Sequence, residues 1–260
     1  MLSKLLRWKR MIGDAVKFAK RNNELLNKLV LPYDDELYMP NDVPISNLSA
    51  HGGWIEYLST YGNKKGMKIL EIGSRVVTGS CFRSYFSKAN YIGFDFYPGE
   101  NVDVVGDAHK ISSYFPKGEK FDVIFSSAVF EHLAMPWLVA VQISQLLKVG
   151  GIICIETHFS FSSHERPWHF FQYSDMGLKV LFSPALGFDC IEAGMCNPIV
   201  GRFSQFADEY LRNRPVTGLF CHSSYIGIKT REVENFFWER VDINEIVAGT
   251  KYPEKISEGK

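Results

Sequence analysis

Met67-Lys68-Ile69-Leu70-Glu71-Ile72-Gly73-Ser74-Arg75, followed further on by Tyr91-Ile92-Gly93-Phe94-Asp95, decides the fold. The first run reads as a buried strand ending in a glycine turn, the second as a buried strand ending in a carboxylate, with a helix expected between them. A βαβ unit of this kind seats a nucleoside at the carboxyl edge of a parallel sheet. There the acid accepts hydrogen bonds from both ribose hydroxyls. The competing reading of Asp95 is a turn or cap aspartate.

The turn bears on which nucleoside. A dinucleotide needs a run close to Gly-x-Gly-x-x-Gly, because a pyrophosphate lies against bare backbone at the helix N-terminus. Here the run is Gly73-Ser74-Arg75-Val76-Val77-Thr78-Gly79, with an arginine in place of the second glycine. That bulk argues against NAD or FAD. S-adenosylmethionine carries the same adenosine without a phosphate, so a turn poorer in glycine is enough. A βαβ turn with a purely structural role is the alternative.

The pattern continues down the chain. Asn101 to His109 reads as a short third strand containing Asp107, and Phe121 to Ser127 as a nearly continuous apolar fourth. Val139, Ile143, Leu146 and Leu147 have helical spacing, and Lys148-Val149-Gly150-Gly151 ends that helix. Ile152 to Thr157 reads as a fifth strand. Apolar runs alternating with helical segments predict a parallel sheet covered on both faces.

Taken together, Leu70-Glu71-Ile72-Gly73, Gly93-Phe94-Asp95, Gly106-Asp107-Ala108, Phe121-Asp122-Val123-Ile124-Phe125-Ser126-Ser127, Glu131-His132-Leu133 and Leu146-Leu147-Lys148-Val149-Gly150-Gly151 resemble the motifs of class I S-adenosylmethionine-dependent methyltransferases. The resemblance covers residues 67 to 194. It implies a Rossmann-like, doubly wound α/β fold with a seven-stranded, mostly parallel sheet whose last strand is antiparallel. Phe188 to Ala193 and Tyr225 to Lys229 would close that sheet around an insertion at 197–220. It also implies roles for matching residues. Glu71, Gly73, Ser74 and Arg75 would line the methionine end, with Arg75 either pairing with the donor carboxylate or solvated. Asp95 would hold the ribose, with Phe96 beside it. Asp107 would read the adenine amino group next to Ala108, its competing role being a helix N-cap. Ser126 and Ser127 would border the sulfonium. Asp122 reads as structural.

Composition suits one globular enzyme: 260 residues, 46% hydrophobic and 14% aromatic. Lys+Arg 29 against Asp+Glu 29 leaves no net field, which argues against a nucleic-acid partner. No run approaches the roughly 18 apolar residues of a membrane span. Cys81, Cys154, Cys190, Cys196 and Cys221 lack metal-ligand spacing and point to a reducing cytoplasm, with Cys154 a core residue. Residues 1–52 read as an N-terminal helix and linker, 53–230 as the catalytic domain, and 231–260 as a further helix (Val233 to Val241) with a charged tail. Within residues 1–30, Lys4, Arg7, Lys9, Arg10, Lys17, Lys20, Arg21 and Lys28 face only Asp14 and Glu24. The helix there either packs on the domain or rests on an anionic inner-membrane surface. A secretory signal is disfavoured, since basic residues interrupt each apolar stretch.

Methyl transfer to a hydroxyl calls for alignment and a base. Two clusters offer one. Glu131-His132 follows the fourth strand and resembles the Glu-x-x-Glu-His segment with which ubiquinone-pathway O-methyltransferases hold a divalent ion. Ala128 replaces the first glutamate, so no metal is expected there; a metal held by His158, His164 and His169 in the second cluster is a minor alternative. His132 is a base candidate, or else a cap for the following helix. The second cluster, His158 to Phe171, carries His158, His164, Glu165, Arg166, Trp168 and His169 beyond the fifth strand. It resembles a stretch found in methyltransferases of polysaccharide and glycan gene neighbourhoods. Its aromatic and hydrogen-bonding groups suit a saccharide, with Glu131, Glu165 and His169 as acceptor-binding candidates and His132, His158 and His164 as catalytic ones; a rigid packed loop is the bland alternative. The expected function is therefore O-methylation of a small or saccharide hydroxyl. An amine or lipid-linked acceptor, a non-catalytic binding protein and an NAD-dependent oxidoreductase are the other readings.

Overall fold

The computed structural model describes residues 43–48, 53–242 and 246. The basic segment 1–30, most of the linker and most of the tail lie outside them. Among the described residues no helix is long and apolar enough to cross a membrane.

Residues 43–197 and 220–242 form one unit. Helix α1 (Gly53–Gly62) precedes β1 (Lys68–Ile72), β2 (Asn90–Asp95), β3 (Val104–Val105), β4 (Phe121–Ser127), α2 (Pro136–Leu146), β5 (Leu147–His158), α3 (Asp175–Leu181) and β6 (Phe188–Pro198). After a second unit carrying β7 (Gly201–Arg202) and β8 (Pro215–Val216), β9 (Phe220–Lys229) returns to the sheet. The seven strands stand in the order β3-β2-β1-β4-β5-β9-β6. Strands β1 to β5 are mutually parallel and β9 runs antiparallel to β5. This is the expected sheet, and it needs β6 and β9 to be longer than their apolar cores suggested.

Successive side chains on a strand point to opposite faces, and the burial follows. Leu70, Ile72, Ile124, Val139, Ile143 and Ile153 join one core, while Ile69, Val123, Phe125 and Cys154 join Trp54, Leu58 and Phe86 in the other. Helix α2 starts with Pro136 in its first turn, where a missing N–H costs nothing. At its far end the buried Lys229 amino group donates to the carbonyls of Ser144 (2.5 Å) and Leu147 (3.0 Å), satisfying acceptors the helix itself leaves open.

Four expectations are corrected. The connection between β1 and β2 holds only a 3-10 helix, Phe82–Phe86, because Val76, Val77, Thr78 and a left-handed Gly79 (φ 89°) oppose α-helix. The third strand shrinks to two residues, since Asn101 at φ 70° breaks the extension before it. Pro44 to Ser46, read as linker, pairs with the edge of β6: Met195 N–H donates to Pro44 O (2.9 Å) and Ser46 N–H to Met195 O (3.1 Å). The helix expected over Val233 to Val241 is a single 3-10 turn, Trp238–Arg240. Asn235 at φ 51° precedes that turn, and Phe236 packs edge-on against Trp238.

The second unit includes residues 198–219, the insertion expected at 197–220. Here β7 and β8 pair antiparallel, with Gly201 opposite Val216 and Arg202 opposite Pro215. Phe206 and Tyr210 of this insertion are exposed.

Candidate functional site

The sheet's strand order reverses around β1, so the loops after β1, β2 and β4 meet at one carboxyl edge, where open α/β sheets bind ligands. Gly73 takes φ 83° there, and a Cβ on it would lie 2.1 Å from Val129 Cγ2 in the loop after β4. Only glycine allows that turn and that approach together.

Asp95 closes β2. Its carboxylate accepts the Arg75 amide (3.2 Å) on one oxygen and the Tyr97 amide (2.9 Å) on the other. Arg75 Nε also approaches Oδ1 at 3.5 Å, and its guanidinium lies 5.6 Å from the Tyr97 ring centroid. Neither sequence reading of Arg75, donor carboxylate or solvent, describes this pairing. An ionised carboxylate offers about four acceptor positions, so capacity for ribose hydroxyls remains once the guanidinium moves aside.

Beneath the turn runs a buried network that the sequence did not disclose. Glu71 accepts from the Tyr91 hydroxyl and from Asn101 Nδ2 (3.1 Å). Asn101 also donates to Ser74 O (2.9 Å), receives the Ser74 hydroxyl on its own carbonyl (3.1 Å) and takes Arg83 Nε on its side-chain oxygen (2.6 Å). Glu71 and Ser74 therefore brace the loop from below. Burial foremost, and the charge of Asp95, push the Glu71 carboxyl up to about 8 against the pull of Asn101 and Arg83.

Asp107 caps the 3-10 segment Ala108–Tyr114, accepting both the His109 amide (2.9 Å) and His109 Nδ1 (2.7 Å) on Oδ1. Partial burial raises its pKa, but the His109 bonds and the charges of His109 and Lys110 outweigh this and hold it low. Ala108 is buried in the core and Phe96 is exposed beside Asp95. Ser126 donates its hydroxyl to Ile72 O (2.9 Å), tying β4 to β1, and Ser127 donates to Glu156 Oε2 (2.7 Å).

Beside this edge five of the chain's seven histidines gather. His164 lies 4.9 Å from His132, 5.3 Å from His158 and 4.6 Å from His169, centroid to centroid. His222 lies 5.2 Å from His158, its partner across the β5–β9 ladder. Sequence reasoning missed His222; once β5 and β9 are paired antiparallel, register alone would find it. His132 Nδ1 contacts Trp168 O (2.7 Å) and His164 Nδ1 contacts Ser162 O (2.9 Å). Carbonyls accept only, so each Nδ1 carries the proton and each Nε2 the lone pair. His169 Nδ1 instead accepts the His164 amide (3.2 Å); burial, then His164 and His132, keep its ring below the usual histidine value.

Glu131, expected to line the acceptor, is wholly buried. Oε2 accepts the Thr157 hydroxyl (2.6 Å), and Oε1 stands 2.8 Å from His158 Nδ1. Glu165 is exposed at φ 49°, and its carbonyl receives the Trp168 amide (2.7 Å). That turn presents the Trp168 ring, 56% exposed, 6.5 Å from Phe96. The turn after β2 and the loop after β5 thus meet through aromatic rings.

The family described as "Methyltransferase domain" matches residues 49–185, which spans both regions. The chain belongs to that family and is a methyltransferase, with S-adenosylmethionine as its cofactor. No curated protein matches it. Similar solved structures include YcgJ of Bacillus subtilis (16% identity, TM-score 0.48, covering 70% of this chain and 100% of that one). Another is an S-adenosylmethionine-dependent methyltransferase from Archaeoglobus fulgidus (17%, 0.44, 67% and 94%). A third is 1,6-didemethyltoxoflavin-N1-methyltransferase from Burkholderia thailandensis, with 1,6-didemethyltoxoflavin and S-adenosylhomocysteine bound (13%, 0.48, 71% and 80%).

Proposed function

We propose that this methyltransferase methylates a hydroxyl of a saccharide or similarly polar, flat-faced small molecule. The observation that carries the reading is the exposed aromatic shelf of Phe96, Trp168 and Phe170 running into the histidine cluster. Sugar rings offer apolar C–H faces to aromatic planes and hydroxyls to imidazoles, and this shelf supplies both.

Asp95 holds the ribose of the donor, Asp107 and Ala108 border the adenine, and Gly73 lets the backbone come close. S-adenosylmethionine supplies a methyl group already activated on a sulfonium, so the protein's part is alignment and proton removal. His132 takes the acceptor proton on Nε2, because the Trp168 carbonyl fixes its Nδ1–H. The same carbonyl belongs to the shelf residue, so base and platform move as one piece. His164 adds a second Nε2 lone pair beside it.

The test is transfer of radiolabelled methyl from S-adenosylmethionine into an extract fractionated into glycan, lipid, protein and small molecules. Label in glycan or polar small molecules, recovered after acid hydrolysis as an O-methyl sugar or polyol, supports the reading. Label confined to protein or lipid overturns it.

A further inference from the structure

The histidine cluster also contains a conflict that hydrogen bonding does not resolve. His158 Nδ1 and Glu131 Oε1 are only 2.8 Å apart, yet neither atom has a hydrogen bond of acceptable geometry. Both residues are more than nine-tenths buried. A protonated imidazole beside a buried carboxylate would turn its N–H onto the oxygen, since leaving a buried polar group unsatisfied costs about 1–3 kcal/mol. A ring nitrogen and a carboxylate oxygen converging from two neighbouring segments, by contrast, is how ligands of a shared cation are arranged.

His164 supplies the third direction. Its Nδ1–H is committed to the Ser162 carbonyl, leaving Nε2 as a ligand atom, the tautomer that a backbone carbonyl imposes on metal-bound histidines. One ligand atom from each of Glu131, His158 and His164 lies within 4.8 Å of the other two. The carboxylate is also held in place: Thr157 bonds its other oxygen, and the Glu131 carbonyl receives the amides of Phe170 (2.8 Å) and Phe171 (3.2 Å).

We infer that Glu131, His158 and His164 form the site of one divalent transition-metal ion with a coordination position open to the acceptor. Two imidazoles and one carboxylate are the donor set of open zinc sites and of non-haem iron. Ala128 in place of a glutamate argues against a metal at Glu131-His132, and the minor alternative in the sequence is three histidines, His158, His164 and His169, without Glu131. The sheet remedies that loss by bringing His158, at the end of β5, against Glu131 in the loop after β4. The ion's charge minus one carboxylate leaves a positive site that an acceptor alkoxide neutralises. A bound hydroxyl is acidified as metal-bound water is, from 15.7 to about 7, and His132 then receives its proton. That catalytic role rests on the O-methylation reading; ion binding does not.

The experiment uses the full chain without a histidine tag, stripped with chelator, and no donor or acceptor. Equilibrium dialysis with Zn²⁺ should give one ion per chain, and Co²⁺ should give visible d–d absorption. His164→Ala, in an accessible loop, should weaken Zn²⁺ binding at least about tenfold, and Glu131→Gln should do likewise if it folds. Added Zn²⁺ should raise the melting temperature of the wild type and not of His164→Ala. No stoichiometric Zn²⁺ or Co²⁺ in the wild type overturns the inference. So does binding that survives both substitutions and disappears in Cys196→Ser, which places the ion among Glu156, Cys196 and His222, whose ligand atoms also lie within 4.8 Å of one another. Sugar methylation by protein that binds no ion leaves the proposed function intact and removes the metal.

Discussion

Arg75 lies across the carboxylate of Asp95, Nε 3.5 Å from Oδ1, in a pairing that falls outside hydrogen-bond geometry. The acid proposed to hold the ribose is thus partly covered by the residue that stands in the turn where a dinucleotide site has a glycine. With the Arg75 side chain 38% exposed, solvent screens the pair, and its strength is at most about 1 kcal/mol. Arg75→Ala should therefore bind S-adenosylmethionine equally well or up to about fivefold more tightly by calorimetry. A tenfold loss would instead mean that the guanidinium holds the donor.

Asp95→Ala removes two hydrogen bonds to a charged acceptor, each worth about 1.5–3 kcal/mol. Donor affinity should fall by about two orders of magnitude or more, and the melting temperature of the ligand-free protein should fall as well, because the Arg75 and Tyr97 amides lose their acceptor. Unaltered affinity would end the assignment of this edge to the adenosine.

Glu71 makes stability depend on pH. Its carboxyl titrates at an ordinary 4.5 in the unfolded chain and at about 8 in the folded one. Between those values the folded state keeps a proton that the unfolded state has lost, so stability declines as pH rises. Glu71→Gln abolishes this. The variant should gain about 3 kcal/mol relative to wild type between pH 5 and 8, read from urea unfolding. A pH-independent difference would show that the buried carboxyl is ionised throughout.

His132→Ala should lower kcat by about 10²- to 10⁴-fold while donor affinity stays the same. A rise in acceptor KM with kcat preserved would make His132 a lining residue instead.

Trp168→Phe should retain most acceptor affinity, whereas Trp168→Ala should raise acceptor KM by about three- to tenfold, the scale of a lost aromatic contact. Equal KM for all three proteins would remove the aromatic shelf from the saccharide reading.

Much of the fold could be read without coordinates. Strands β1, β2, β4 and β5 announce themselves as apolar runs, and the turn at Gly73 and the acid at 95 follow from their position at strand ends, whereas Asp107 stands past β3 as the cap of a 3-10 segment. The 3-10 connection at Phe82–Phe86 was hidden because the helix expected there was inferred from the βαβ pattern, not from the residues of that segment. Pro44 to Ser46 gave no sign of pairing, since its partner Met195 lies far along the chain.

Periodicity and turn chemistry are local, so the residues alone determined the order of elements, the sheet's class and which strand tips carry acids. Side-chain partners across distant segments depend on register and on how loops fold back, which no local pattern records. Tertiary structure alone therefore decided that Arg75 meets Asp95, that Asn101 braces Glu71, and that Glu131 is buried under His158. It also turned a glutamate expected to line the acceptor into the buried neighbour of His158, 2.8 Å from its Nδ1, because only packing brings the end of β5 against the loop after β4.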